Sequence, residues 1–271
     1  MLPAPAARRR LAGRVLVGTA VVAAAALVLH GPIPQDDAYH AFADARPWFG
    51  IPNGADVCSN APFVVTGLLA LAALRRARAA TTPPPRWAQL AFGLFALGVA
   101  TTAVGSTIYH LHPTSTTLVF DRLPMSVGFA TFAALVVGER LGDRVGRATL
   151  APAAFLGVAS VLVWAFTLDG RGGDDLRLYA FVQYFAVFAV VALLVLVLEP
   201  RATRAPVVLA CAAYVLAKVL EALDATVLHA TAGLVSGHTL KHVVAALAAA
   251  CLVRWFTASV AVAASRGPSE A

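Results

Sequence analysis

Long apolar stretches alternate with short polar connections along the chain. There are eight such stretches, and each is close to the ~20 residues that an α-helix needs to cross a bilayer. They run over residues 11–29, 57–74, 87–109, 117–138, 149–168, 177–198, 205–227 and 236–256. Prolines 83–85 and the glycines of residues 170–173 interrupt helical structure in the connections. The pattern predicts an all-α, polytopic membrane helix bundle.

The composition supports this class. Of the 271 residues, 59% are hydrophobic and only 13% are charged, whereas a soluble domain carries about 25% charged residues. The length suits one compact bundle without a second sizeable soluble domain. The net charge of +7 does not indicate nucleic-acid binding, because the lysines and arginines lie mostly in short connections, where they orient membrane helices.

The basic residues define the expected orientation. Fifteen of the 21 lysines and arginines fall on one side of the predicted bundle and three on the other, and three lie inside spans. The fifteen lie within residues 8–14, 75–86, 140–147, 201–204 and 254–266. The positive-inside rule then predicts a multi-pass protein of the cell membrane with both termini cytoplasmic.

The first apolar segment has two interpretations. Its basic start and small residues also fit a cleaved signal peptide. We favour a retained helix, because the apolar run is long and Pro32 and Pro34 follow it directly. The remaining seven spans keep the same orientation in either case.

Five polar residues are predicted to converge near the outer face. Ser106 and His110 lie near the outer end of the third segment, Asp121 lies in the first turns of the fourth, and His238 and His242 lie in the first turns of the last. Ionisable side chains in membrane spans are costly, so they are candidates for function. The orientation was inferred from lysines and arginines alone, so the common depth of these five residues is independent support for one site.

The spacing of these residues suits a catalytic zinc centre. Residues four apart share a helix face, so His238 and His242 can bind one ion. Together with His110 they make three imidazole ligands, which leaves a fourth position for water. Asp121 is then either a fourth ligand or a base beside the metal, and Ser106 is a donor to a developing oxyanion.

Simpler interpretations of each residue stay open. A single histidine at a helix end is often an interfacial residue, and paired histidines also occur in haem sites and proton relays. Asp121 next to Arg122 fits an intramembrane ion pair, and Ser106 fits a helix-packing residue.

At these residues the chain resembles the alkaline ceramidase family, within a superfamily of seven-helix membrane hydrolases that also includes the adiponectin and progestin receptors. The matching pieces are G-S-T-I-Y-H at 105–110, D-R-L-P at 121–124, H-T-L-K-H at 238–242 and the pair Ser59–Asn60. The resemblance implies a seven-helix core over residues 53–257. Residues 1–52 would then comprise a basic start, an extra N-terminal transmembrane helix and an outer loop, and residues 258–271 a disordered cytoplasmic tail.

The resemblance also implies an activity. Its members are zinc-dependent hydrolases that cleave the amide bond of ceramides to a sphingoid base and a fatty acid. The zinc ligands correspond to His110, His238 and His242, and the assisting residues to Asp121 and Ser106. The expected partners are a membrane lipid substrate and the bilayer, and the oligomeric state stays open. Two rival functions remain, namely hydrolysis of another lipid amide or ester, and a receptor-like protein with a structural zinc.

Two departures from the family pattern, and the remaining charged residues in the spans, complete the expectations. The family's acidic calcium-binding cluster is missing from I-P-N-G-A-D-V-C-S-N at 51–60, which argues against calcium regulation. Arg122 stands where the family has an acidic residue, which predicts altered head-group recognition. Lys218, Glu221 and Asp224 form a polar stripe with an expected Lys218–Glu221 ion pair, and Lys241 is expected to point away from the histidines toward the outer surface.

Overall fold

The protein is a bundle of long apolar helices, as the hydropathy pattern predicts. A computed structural model describes residues 5–168, 173–197 and 201–266. Its helices are α1 (Pro5–His30), α2 (Gly54–Cys58), α3 (Ala61–Arg78), α4 (Arg86–Leu111), α5 (Ser115–Leu141), α6 (Asp143–Phe166), α7 (Arg177–Leu196), α8 (Arg201–Ala222), α9 (Asp224–Ala230) and α10 (Gly237–Arg266). With α2 and α3 taken as one bent span, eight helical segments are long and apolar enough to cross a membrane. Among the predicted glycines, Gly170 and Gly172 lie outside the described residues.

The second span differs from the prediction because it bends near its start. Pro62 has no backbone N–H and therefore cannot continue the i→i−4 hydrogen bonds of α2. Side chains replace the missing bonds, since Ser59 Oγ and Asn60 Nδ2 both donate to the Asp56 carbonyl, at 2.8 and 3.0 Å. The bend therefore presents Asp56, Ser59 and Asn60 to the bundle interior, where all three are buried.

Two further segments end elsewhere than predicted. The seventh apolar segment, predicted over 205–227, is divided where α8 ends at Ala222 and α9 begins at Asp224. The last helix continues to Arg266, so residues 258–266 are helical where a disordered tail was expected. Residues 267–271 lie outside the described part.

The helices form a seven-span core with one peripheral helix. Helix α4 packs between α3 and α5, α5 also packs against α6 and α7, and α10 packs against α3 and α8. Helix α1 packs mainly on α7, and of its residues only Ala12 and Leu16 are buried. This arrangement matches the expected seven-helix core with an additional N-terminal helix.

Glycines permit the closest helix contact, between α4 and α5. A Cβ at Gly105 would lie 2.0 Å from the Phe120 carbonyl oxygen, and one at Gly98 would lie 2.8 Å from the Pro124 carbonyl oxygen. Small residues let membrane helices pack backbone to backbone. The contact at Gly105 brings its neighbour Ser106 next to the start of α5, where Asp121 lies.

We expect Gly105→Ala to destabilise the bundle, because the added methyl group would force α4 and α5 apart. Overpacking a tight contact costs about 1–3 kcal/mol. The matched control is Gly128→Ala on α5, where a Cβ meets no atom within 4 Å. Thermal unfolding in detergent should show a lower midpoint for Gly105→Ala than for Gly128→Ala. Equal midpoints would show that the close contact is not required.

Candidate metal centre

Three histidines meet between α4 and α10. His110 lies in the last turn of α4, and His238 and His242 lie in the first two turns of α10. The start of α10 is fixed by side chains, since Ser236 Oγ accepts from the Thr239 N–H at 3.0 Å and Asp224 Oδ1 accepts from the His238 N–H at 2.8 Å. Both caps satisfy N–H groups that lack a partner in the helix. They thereby set the rotation of α10 that directs both imidazoles at His110.

The three imidazoles are close enough to share one ion. Their ring centroids are 4.9 Å apart for His110–His238 and His110–His242, and 5.0 Å for His238–His242. One nitrogen from each ring lies within 4.8 Å of the others. In a tetrahedral zinc site with bonds of about 2.0–2.1 Å, ligand nitrogens lie about 3.4 Å apart, so small shifts would complete the coordination.

Buried nitrogen atoms without hydrogen-bond partners lie at this point. All three histidines are buried, yet within the described part of the chain both ring nitrogens of His110 and Nε2 of His238 have no hydrogen-bond partner. Buried polar atoms without partners are costly and rare. The described residues therefore fit a metal ion, and the buried cluster of His110, His238 and His242 could hold one.

Ser59 determines the tautomer of His242. The Ser59 hydroxyl has one proton, which it donates to the Asp56 carbonyl at 2.8 Å. Ser59 Oγ must therefore accept in its 2.7 Å contact with Nδ1 of His242, which makes Nδ1 the protonated nitrogen. The Nε2 lone pair of His242 is then free for a metal. Such outer hydrogen bonds commonly orient metal-binding histidines.

Ser106 and Asp121 form a second pair beside the histidines. The Ser106 side chain is buried, and its hydroxyl lies near the Asp121 carboxylate and interacts with it. Among the described residues, the group of converging ligand atoms consists of the three histidines and does not include Asp121. This arrangement favours Asp121 as a base beside the metal over Asp121 as a fourth ligand.

A segment outside the long helices covers the centre. We call residues 33–44 the cap segment. The ring of Phe42 lies 4.6 Å from the ring of His110 and 4.5 Å from that of His238, between centroids. His40 contacts the Tyr109 hydroxyl at 2.9 Å through Nδ1 and the Ser115 hydroxyl at 3.1 Å through Nε2. The cap segment thus closes the end of the bundle over the imidazoles.

Aspartates anchor the cap segment at both ends. The N–H of Gln35 donates to Asp174 Oδ2 at 2.8 Å, and the N–H of Ala43 donates to Asp224 Oδ2 at 2.9 Å. Arg46 donates two bonds to Asp44, at 2.7 and 2.8 Å, and these hydrogen bonds lower the pKa of Asp44. Asp224 links the cap segment to the start of α10, because its other oxygen accepts from His238.

Charged side chains next to the centre are paired mostly through Glu221. Its carboxylate accepts from Lys241 Nζ at 2.7 Å, from the Tyr39 hydroxyl at 3.1 Å, and from Lys218. The expected Lys218–Glu221 ion pair is confirmed. The predicted course of Lys241 to the outer surface is wrong, because its side chain is only 16% exposed and turns to Glu221 on α8. A strong partner within reach outweighs hydration at the surface.

Several residues around the histidines carry no sequence pattern that predicts a role in the site. Asn53 Nδ2 donates to the His110 carbonyl at 2.7 Å, and Asp56 Oδ1 accepts from the Thr239 hydroxyl at 2.6 Å. Asn53 and Asp56 drew attention only through the missing calcium cluster, and Ser59 only through the resemblance. The one available indication was a group of polar residues directly ahead of an apolar span. Nothing in the pattern pointed to Phe42.

An apolar cavity lies directly below the centre. It is partly open, has a volume of about 160 Å³, and is lined by side chains from α3, α4, α5, α7, α8 and α10. Four lining residues lie one helical turn further into the bundle than a site residue. They are Phe63 below Ser59, Thr102 below Ser106, Met125 below Asp121, and Ala245 below His242. The centre therefore lies at the polar end of an apolar cavity.

Comparison with known proteins assigns no family to this chain, because no family model matches it and no curated protein matches it. What the chain shows is a multi-span helical membrane protein with a buried three-histidine cluster.

We expect Ser59→Ala to weaken metal binding, because His242 would lose the acceptor that fixes its tautomer. Loss of such a hydrogen bond typically costs about 10–100-fold in metal affinity. Chelator competition on purified protein measures this loss, and Ser59→Thr should restore most of the affinity because it keeps the hydroxyl. Equal affinity in Ser59→Ala and the unmodified protein would contradict the assignment.

Proposed function

We propose that the protein is a zinc-dependent membrane hydrolase that cleaves the amide bond of a lipid such as ceramide or phytoceramide, releasing a sphingoid base and a fatty acid. The observation that carries the proposal is the position of the three histidines and the Ser106–Asp121 pair at the polar end of an apolar cavity. The resemblance to alkaline ceramidases at the same five residues supports it.

The cavity suits the apolar part of a lipid. Along α4, α5 and α10 its lining residues extend from Thr102 to Phe95, from Met125 to Phe132, and from Ala245 to Leu252. Each range covers seven helical steps, or about 10 Å at 1.5 Å per residue. An acyl chain in this space would bring its carbonyl group to the level of Ser106 and His242.

A zinc ion held by His110, His238 and His242 would polarise the substrate carbonyl and lower the pKa of a coordinated water. The chain's own residues would move the proton. Asp121 lies beside Ser106, one helical turn before His110 on the neighbouring helix, and a carboxylate there would accept a proton from water as the C–O bond forms. It would then deliver that proton to the leaving amine as the C–N bond breaks.

Ser106 would respond to the state of Asp121. While Asp121 is ionised, the single hydroxyl proton of Ser106 is donated to it. Once Asp121 carries a proton, it becomes the donor of that hydrogen bond, and the Ser106 hydroxyl is released to donate to the oxyanion. The pair therefore couples proton uptake with stabilisation of the developing charge.

The distribution of arginines supports an orientation in which the centre faces the outside. Under the positive-inside rule, the end of the bundle that carries the cap segment is the outer one. The lipid head group would then enter from the outer leaflet, with the acyl chain in the cavity.

The convergence of three imidazoles on one point favours a metal ion over haem. A haem site would also give no role to Ser106 or Asp121. The zinc centre serves ester and amide bonds alike, so hydrolysis of another lipid amide or ester is the second candidate. A receptor-like protein with structural zinc has no use for the Ser106–Asp121 pair.

We expect His238→Ala to lose both bound zinc and lipid hydrolysis, and Asp121→Ala to keep zinc and lose turnover. A positioned general base contributes about 10²–10⁴-fold to the rate, so kcat should fall by that factor in Asp121→Ala. Metal content by mass spectrometry and fatty-acid release from ceramide in mixed micelles measure the two effects. Full activity in either purified variant would refute the proposed roles, and zinc without turnover on any lipid in the unmodified protein would favour a structural metal.

A further inference from the structure

Arg122 is enclosed by aromatic rings next to the candidate metal centre. The side chain is 7% exposed, and its guanidinium carbon lies 5.4, 4.6 and 4.8 Å from the ring centroids of Tyr39, Trp164 and Tyr179. The rings come from the cap segment, α6 and α7. Arg122 therefore lies where three parts of the bundle meet, one residue after Asp121.

The guanidinium has no carboxylate partner in the described part of the chain. The salt bridges found there do not involve Arg122, and its Nη1 is buried without a hydrogen-bond partner. The nearby carboxylates are engaged elsewhere. Glu221 accepts from both lysines, and Asp174 accepts from the Trp164 indole at 3.1 Å. The Asp121–Arg122 ion pair, the simpler interpretation of these two residues, is not among the salt bridges of the described residues.

Arg122 is the cation near Asp121 that has no paired carboxylate among the described residues, because both lysines pair with Glu221. Asp121 and Glu221 face three cations, namely Arg122, Lys218 and Lys241, and the two lysines share Glu221. An unpaired cation in a membrane span is costly, and contact with aromatic rings offsets this cost only in part. A negative charge on a bound molecule would pair with the Arg122 guanidinium.

The chemistry of the Arg122 guanidinium specifies the class of ligand that it would bind. A planar guanidinium binds carboxylate and phosphate through paired hydrogen bonds, and Nη1 of Arg122, buried without a partner among the described residues, keeps its donors for such an anion. Side chains of consecutive helix residues diverge, but Tyr39 links Arg122 to the centre. Its ring lies 5.4 Å from the guanidinium carbon, and its hydroxyl donates to Glu221, which also accepts from Lys241. An anion at Arg122 would therefore lie beside the part of the cap segment that covers the histidines.

We propose that Arg122 is a head-group site for a carboxylate or phosphate, so that the preferred substrate is an acyl lipid with an anionic head group. The inference rests on the proposed lipid hydrolysis, and within it favours the second candidate, another lipid amide, over ceramide, which is neutral.

Three lipids with the same acyl chain test the inference. N-palmitoylglycine carries a carboxylate where N-palmitoylethanolamine carries a hydroxyl, and the phosphate ester of the latter supplies a phosphate. The unmodified protein should prefer the anionic amides by about 10–100-fold in kcat/KM, the range of a charge-assisted hydrogen-bond pair. The stronger of the two anions identifies the head group.

Variants of Arg122 separate binding from packing. In Arg122→Gln the ratio of anionic to neutral kcat/KM should fall toward one, while Arg122→Lys, which keeps the charge, should retain part of it. The control is Arg177→Gln, since Arg177 is paired with Asp175 and should leave the ratio unchanged. Loss of both activities in parallel, with a lower unfolding midpoint, would overturn the inference and assign Arg122 to packing.

Equilibrium binding of the same lipids decides the question without turnover. Tighter binding of the anionic lipids that depends on Arg122 supports the head-group site even where nothing is hydrolysed, in which case the proposed function alone fails. Hydrolysis of neutral and anionic lipids with equal efficiency would support the proposed function and refute the inference. Equal binding of neutral and anionic lipids would refute the inference as well.

Discussion

The structure depends on the burial of three imidazoles at one point inside a membrane bundle. Polar nitrogens without partners are costly in such a place, and here they belong to two helices that are distant in sequence. Ser236 and Asp224 accept hydrogen bonds from backbone N–H groups at the start of α10, and these bonds fix the helix rotation that makes the imidazoles converge. The cluster has a chemical reason to persist if a metal ion satisfies the nitrogens, and that ion would then tie α4 to α10.

Around the centre, each neighbouring element supplies one function. The bend between α2 and α3 carries Ser59 to His242, the glycine contact between α4 and α5 brings Ser106 to Asp121, and the cap segment places Phe42 over the rings. Below these groups the bundle offers an apolar cavity. Polar chemistry and apolar space meet at one level of the bundle, which is the arrangement that a lipid with a polar linkage requires.

The sequence predicts the fold class well, because a membrane span must satisfy its own backbone hydrogen bonds and is therefore a long, continuous hydrophobic helix. Such a helix is recognisable from its length and hydrophobicity. It also predicts the convergence of the histidines, since spacing four apart on a helix places His238 and His242 on one face. The sequence does not predict the positions of residues that lie in irregular backbone. Phe42 and Asn53 lie outside the long helices, and Asn53 has a left-handed φ of 46°, so no periodicity places them. Lys241 was misplaced because its partner, Glu221, lies on a different helix.

The central claim is that His110, His238 and His242 together hold one zinc ion. The most direct measurement is metal content combined with X-ray absorption at the zinc edge, on the unmodified protein purified in detergent. The account predicts about one zinc per chain with three imidazole nitrogens at about 2.0–2.1 Å. A folded protein without metal, or a metal without imidazole ligands, would contradict it.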